Sequence, residues 1–225
     1  MDAQDVLRRI GATRPKNTPA LRRLRRVLSK ELKRESGRTV IALAQELVRS
    51  GDSHGRWIGY ELICNHPNAE QTLTAAAIER LGEGLCDWAG VDAFACYISG
   101  PAWREGRIAD ARVHRWAKSK DRWRRRAALV STVPLNVRAR GGHGDAPRTL
   151  AVCKLLVDDR DDMVVKALSW ALRAVAVRDP DAASAFLAAQ QTRLAALVQR
   201  EVRNKLSTGL KNPRRKSARA IVSRL

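Results

Sequence analysis

The stretch "CDWAGVD", residues 86–92, sets Trp88 and Asp92 four positions apart in a mostly apolar run. In a helix these side chains share one face, a turn apart, and Val91, Phe94, Ala95 and Ile98 form a neighbouring apolar stripe. A carboxylate beside a large ring, on a face the core does not need, is unexpected in a chain of formal net charge +20. On a surface that meets phosphate such a charge is repulsive, so Asp92 either pairs with a local Arg or has a task. Cleavage of an N-glycosidic bond is a task that suits it. Positive charge builds on the sugar as the base departs, and a carboxylate near C1′ stabilises that oxocarbenium-like state and orients the attacking water. The face of Trp88 adds cation–π stabilisation to the same sugar.

Two further stretches carry candidate chemistry. In "MVVKALSWALR", residues 163–173, the apolar face is Val164, Leu168 and Ala171, continued by Val175, while Lys166, Trp170 and Arg173 lie together on another face. An indole flanked by two cations fits a base- or sugar-contacting ring. In "RWRRR", Arg122 and Arg126 share a helical face, a spacing suited to gripping adjacent phosphates; Arg125 lies between them and Lys118 and Lys120 precede them in a turn. Lys166, one turn before Trp170, is also placed to act as an amine nucleophile that forms a Schiff base, although its neighbours favour a phosphate-facing ammonium. Of the other tryptophans, Trp116 and Trp123 read as packing and Trp57 as structural or groove-lining, and Trp103 falls in an expected loop after Gly100 and Pro101.

The charge around these residues is uneven. Residues 1–40 carry 12 Lys/Arg against 4 Asp/Glu, residues 112–126 carry 8 against 1, and residues 200–225 carry 9 against 1. A near-neutral body with three basic patches is the pattern of a polyanion-binding surface, and the preference for Arg suits bidentate phosphate contacts. The four cysteines, Cys64, Cys86, Cys96 and Cys153, form no CxxC pair and have no His at zinc-finger spacing. They read as apolar fillers in a reducing cytosol, so neither a metal nor a cofactor is expected. No run is long and apolar enough to span a membrane. The N-terminus lacks an apolar signal core, and Asp2 and Asp5 argue against a transit peptide. The expected location is the cytoplasm, at the nucleoid.

The elements that must position the candidates are helices. Periodicity and punctuation predict helices over 18–35, 38–50, 54–65, 69–83, 87–98, 107–118, 121–133, 146–158, 161–177, 180–189 and 191–205, and "RARGGHGDAP" reads as a loop closed by a helix start. It is no phosphate-cradling loop, because no strand precedes it and no Gly-Lys-Ser/Thr follows. "DRWRRRAALVS" from Asp121 and "DDMVVKALSWALR" from Asp161 resemble each other about 40 positions apart, and "SHGRWIGYELI" at 53–63 is a looser copy. Helix pairs at that period stack so that each buries its apolar stripe on the next. The expected fold is all-α, a superhelical solenoid of HEAT-like antiparallel helix pairs over residues 1–208, with an Arg-rich helical region at 1–35 and a basic flexible tail at 209–225. An irregular helical bundle is the alternative.

These segments resemble the AlkD-like DNA alkylation-repair glycosylases, a HEAT-like family, over roughly residues 35–205. "DWAGVD" is similar to the family's Trp-x-x-x-Asp active-site segment, "WRRRAALV" to its Trp-x-x-Arg-Ala-Ala segment, and "KALSWALR" to the segment that holds its second active-site tryptophan. The resemblance implies a catalytic Asp92, active-site rings Trp88 and Trp170, and a functional Arg126. It implies a monomer that excises cationic N3- and N7-alkylated purines from double-stranded DNA, with the lesion left stacked instead of flipped. The Arg-rich N-terminus and basic tail depart from the family pattern. Two other functions compete: a non-catalytic HEAT-like nucleic-acid-binding protein, and a scaffold that grips an acidic partner. Neither has a use for Asp92 between two tryptophans.

Overall fold

The computed structural model describes residues 1–213, and every regular element among them is helical. The part of the expected tail beyond residue 213 lies outside the described residues. In chain order the helices are α1 (Ala3–Ala12), α2 (Thr18–Glu31), α3 (Gly37–Arg49), α4 (Ser53–Cys64), α5 (Ala75–Leu81), α6 (Trp88–Phe94), α7 (Gly100–Arg104), α8 (Asp110–Ala117), α9 (Arg122–Val130), α10 (Val133–Asn136), α11 (Ala146–Leu155), α12 (Asp162–Arg178), α13 (Pro180–Ala189) and α14 (Ala196–Thr208). No helix among the described residues is long and apolar enough to cross a membrane.

The helices pack in two layers. In one layer α2 packs on α4, α4 on α6, α6 on α9, α9 on α12 and α12 on α14. In the other, α1 packs on α3, α3 on α5, α8 on α11 and α11 on α13. Hairpins tie the layers, α3 to α4, α8 to α9, α11 to α12 and α13 to α14, which is the stacking of helix pairs that the repeat implies. The core lies between the layers, where Leu47, Ile58, Phe94, Val113, Leu129, Leu172 and Val198 are fully excluded from water. Each contributes about 1.5–3 kcal/mol by leaving water.

A capping signal places the start of four successive helices of the first layer. Asp52, Asp87, Asp121 and Asp161 are the N-caps of α4, α6, α9 and α12, and each carboxylate accepts a first-turn backbone N–H. The caps recur at roughly 35–40 residues, so "DWAGVD" is itself a copy of the repeat recognised at 121 and 161.

Three expected elements differ. The helix expected over 69–83 is a 3-10 turn, Glu70–Thr72, followed by α5, because Leu73 is extended and the Thr74 hydroxyl caps Ala77 N–H at 3.1 Å. The helix expected over 87–98 leaves α6 through a wide π-helical turn, Ala95–Ser99, and continues into α7. Trp103 is therefore not in a loop: it is fully buried, and its Nε1–H donates to Asp110 at 2.7 Å. Gly100 is required at this junction, since a Cβ there would lie 2.7 Å from the Ala95 carbonyl oxygen and the Pro134 ring. The helix expected over 191–205 is displaced to α14, because the Gln199 side-chain amide donates to the carbonyls of Gln191 and Leu194 and holds residues 190–195 in turns.

Candidate active site

Asp87 ends its loop by accepting the Gly90 N–H at 2.8 Å, so α6 opens at Trp88. Trp88 is 58% exposed, which is far from the environment of a core indole. One turn later the side chain of Asp92 is 18% exposed. Its oxygens accept two parallel hydrogen bonds from Arg126 on α9, Nε to Oδ1 at 3.0 Å and Nη2 to Oδ2 at 2.9 Å. The third guanidinium nitrogen of Arg126 donates to the Met163 carbonyl on α12. One arginine thus joins three successive helices of one layer. Burial pushes the Asp92 carboxyl above the ordinary aspartate range, outweighing the opposite pull of Arg126. The fork geometry fixes the carboxylate plane while leaving acceptor positions on its open side.

This geometry changes the reading of the basic run. Arg126 does not share a solvent face with Arg122: the Arg126 side chain is 7% exposed, against 53% for Arg122. Packing between α6 and α12 draws Arg126 inward, whereas Arg122 lies over the Trp123 ring, 5.0 Å from its centroid, and 3.4 Å from Asp161. Arg124 pairs with Glu79 at 3.2 Å and Arg125 with Asp159 at 2.6 Å. The run is in large part a set of ties between helices. Lys118 and Lys120 are exposed and form no ion pair among the described residues. Arg125 holds their turn by donating to the carbonyls of Ser119 and Lys120 at 3.1 and 2.8 Å.

On α12, Trp170 is half-buried and packs against the core, two turns along the same face from Met163. Lys166 is exposed and pairs with Asp162 at 2.6 Å. Arg173 turns away toward α14, with Nε 3.2 Å from the Ser169 hydroxyl and 3.7 Å from the buried Glu201. Burial lowers its pKa against the opposing charge of Glu201. Lys166, Trp170 and Arg173 therefore do not form one free cationic face. Among the cysteines, Cys96 and Cys153 are buried fillers, but Cys86, next to the Asp87 cap, is exposed.

Arg140 is not legible in the sequence as a charge near the site, nor is its contact with Tyr97. The Arg140 guanidinium stands 5.6 Å from the Tyr97 ring centroid, and its charge acts on both Asp92 and Cys96. It has no carboxylate partner among the described residues. Tyr97 lies in the π-helical turn, which shifts the register by which side chains share a face. A regular 3.6-residue period assigns it elsewhere. Among the described residues no group of three or more His, Cys, Asp or Glu side chains is placed to hold a metal ion. The arrangement can present a fixed negative charge and an aromatic face to a cation that forms beside them.

A family model described as "DNA alkylation repair enzyme" matches residues 14–206 of the chain. Comparison with curated proteins finds no match.

Proposed function

The chain belongs to the DNA alkylation repair enzyme family, and from that premise we propose that it is a monofunctional DNA glycosylase, acting as a monomer at the nucleoid. Its substrates are cationic N3- and N7-alkylated purines in duplex DNA. The observation that carries this reading is Asp92, oriented by two hydrogen bonds from Arg126 yet still 18% exposed, one turn from an exposed Trp88.

In the reaction the C1′–N bond breaks and its electron pair leaves with the base. An alkylated purine that carries a positive charge becomes neutral as it departs, so no general acid is needed. The sugar is left as an oxocarbenium-like cation. Asp92 stabilises that charge, and the rings of Trp88 and Trp170 flank it. Water adds at C1′, its proton passes to Asp92 and then to solvent, and an abasic site remains. Arg126 acts through Asp92 and is a positioning residue. A site that works from the sugar does not need to extrude the base, which agrees with a lesion that stays stacked.

Incubation with duplex DNA containing 7-methylguanine tests the proposal. Free 7-methylguanine and an alkali-labile abasic site are expected, and their absence at saturating enzyme would refute it.

A further inference from the structure

A groove of about 430 Å³ opens between α2, α4 and α6. Ala89, Gly90 and Ala93 of α6 line it, so it lies around the helix from Trp88 and Asp92, in the next valley of the same layer. Its walls are cationic. Arg56 is 8% exposed, yet its guanidinium donates only to uncharged acceptors: the Tyr60 hydroxyl at 3.0 Å and the carbonyls of Leu81 and Gly84 at 3.4 and 3.3 Å. Lys16 is exposed and has no ion pair among the described residues. Arg22 is half-exposed and stands 3.8 Å from Glu61, whose nearer partner is Arg25 at 3.2 Å. The one carboxylate on the lining, Asp87, is engaged as the α6 cap. Trp57 adds a half-buried indole whose N–H has no partner among the described residues.

A buried guanidinium whose hydrogen bonds all go to uncharged acceptors keeps its charge unneutralised beside the groove, and the exposed Lys16 and Arg22 at the rim complete a site for an anion. The ring of Trp57 suits the sugar attached to it. The groove is open and lies in the layer that carries Asp92, which favours a segment of a continuous strand over a free nucleotide. Neighbouring packed helices stand about 8–10 Å apart, and duplex DNA rises about 3.4 Å per base pair, so one valley corresponds to roughly two to three nucleotides. We propose that this groove binds a backbone phosphodiester two to three nucleotides from the alkylated purine and sets the register of the lesion over Asp92. The proposal rests on the glycosylase reading.

The test compares the wild-type protein with a Lys16→Ala/Arg22→Ala double variant, both side chains being exposed at the rim, with a thermal melt as the folding control. Binding to a lesion duplex is measured across a salt series and with single neutral methylphosphonates scanned along each strand. The variant is expected to bind roughly tenfold more weakly. Its salt slope should flatten by about 0.9 for each phosphate that is no longer neutralised. One methylphosphonate position should weaken the wild type and have no further effect on the variant. Base release from the same duplex by the wild type separates two failures. No release overturns the glycosylase reading. Release together with an undiminished methylphosphonate penalty in the variant, or a flatter slope with no such position, overturns the groove site and leaves it to a free mononucleotide or an acidic peptide.

Discussion

Arg126→Ala removes a side chain that makes three internal hydrogen bonds, two to Asp92 and one to the Met163 carbonyl. Both partners of the ion pair are largely buried, with 7% and 18% side-chain exposure, so solvent screens the pair little. Breaking such a pair costs about 3–5 kcal/mol, because the remaining charge is left uncompensated. Asp92 already has a raised pKa and can take a proton, which places the cost near the lower end, about 3 kcal/mol. For a chain of this length that is a fall of roughly 6–12 °C in melting temperature. The sign of the pH effect follows from burial. Arg126 opposes the burial that raises the Asp92 carboxyl, so its removal raises the carboxyl further. The acid limb of single-turnover excision, on which activity is lost as Asp92 gains its proton, should therefore move to higher pH. Arg126→Lys should restore part of both effects. Because Arg126 is turned inward, the salt slope of DNA binding should not change, although a spacing argument alone places this residue on phosphate. An acid limb that stays in place, together with a slope flattened by about 0.9, would refute the positioning role and return Arg126 to the DNA backbone.

Trp88→Ala should slow excision by roughly 5–30-fold, the equivalent of a cation–π contact of about 1–2 kcal/mol. As an exposed side chain it should change stability by no more than about 0.5 kcal/mol, and a matched loss of melting temperature would mark it as packing. Lys166, paired with Asp162, should form no borohydride-trapped complex, and Lys166→Ala should reduce affinity more than turnover. Trapping that disappears in that variant would move the chemistry to an amine nucleophile. Glu79 accepts hydrogen bonds from Arg112, Trp116 and Arg124. Glu79→Ala should cost about 2 kcal/mol, or roughly 4–8 °C in melting temperature, and leave the excision rate intact; a calorimetric scan beside a single-turnover assay checks both.

What can be read from the sequence is local. Trp88 and Asp92 share a face because their spacing is one helical turn, and the Asp residues at 121 and 161 mark helix starts because a carboxylate caps free N–H groups. The all-helical architecture follows from the same periodicity. The direction of Arg126 is not legible: "RWRRR" has the same pattern whether its charges face phosphate or acids on other helices, and Asp92, Glu79 and Asp159 all lie more than 30 residues from it. Only packing decides which side of α9 meets α6. The alternative that Asp92 pairs with an arginine and the alternative that it has a task prove compatible, since one fork of hydrogen bonds can orient a carboxylate that remains partly open. The π-helical turn is invisible to a 3.6-residue template and carries the helix on through Gly100 and Pro101, the punctuation that puts Trp103 in an expected loop, and the contact of Arg140 with Tyr97 joins residues far apart in the chain.

Excision depends above all on the charge of Asp92, and Asp92→Asn isolates it because the amide keeps the shape and one acceptor for Arg126. The measurement is single-turnover release of 7-methylguanine from duplex DNA by wild type and variant, at enzyme concentrations that saturate both. A charge-stabilising role for Asp92 requires intact DNA binding and a rate lower by roughly 10²–10³, the cost of losing one preorganised stabiliser of about 2.7–4 kcal/mol. Release by the Asn variant at a rate near that of the wild type would contradict it.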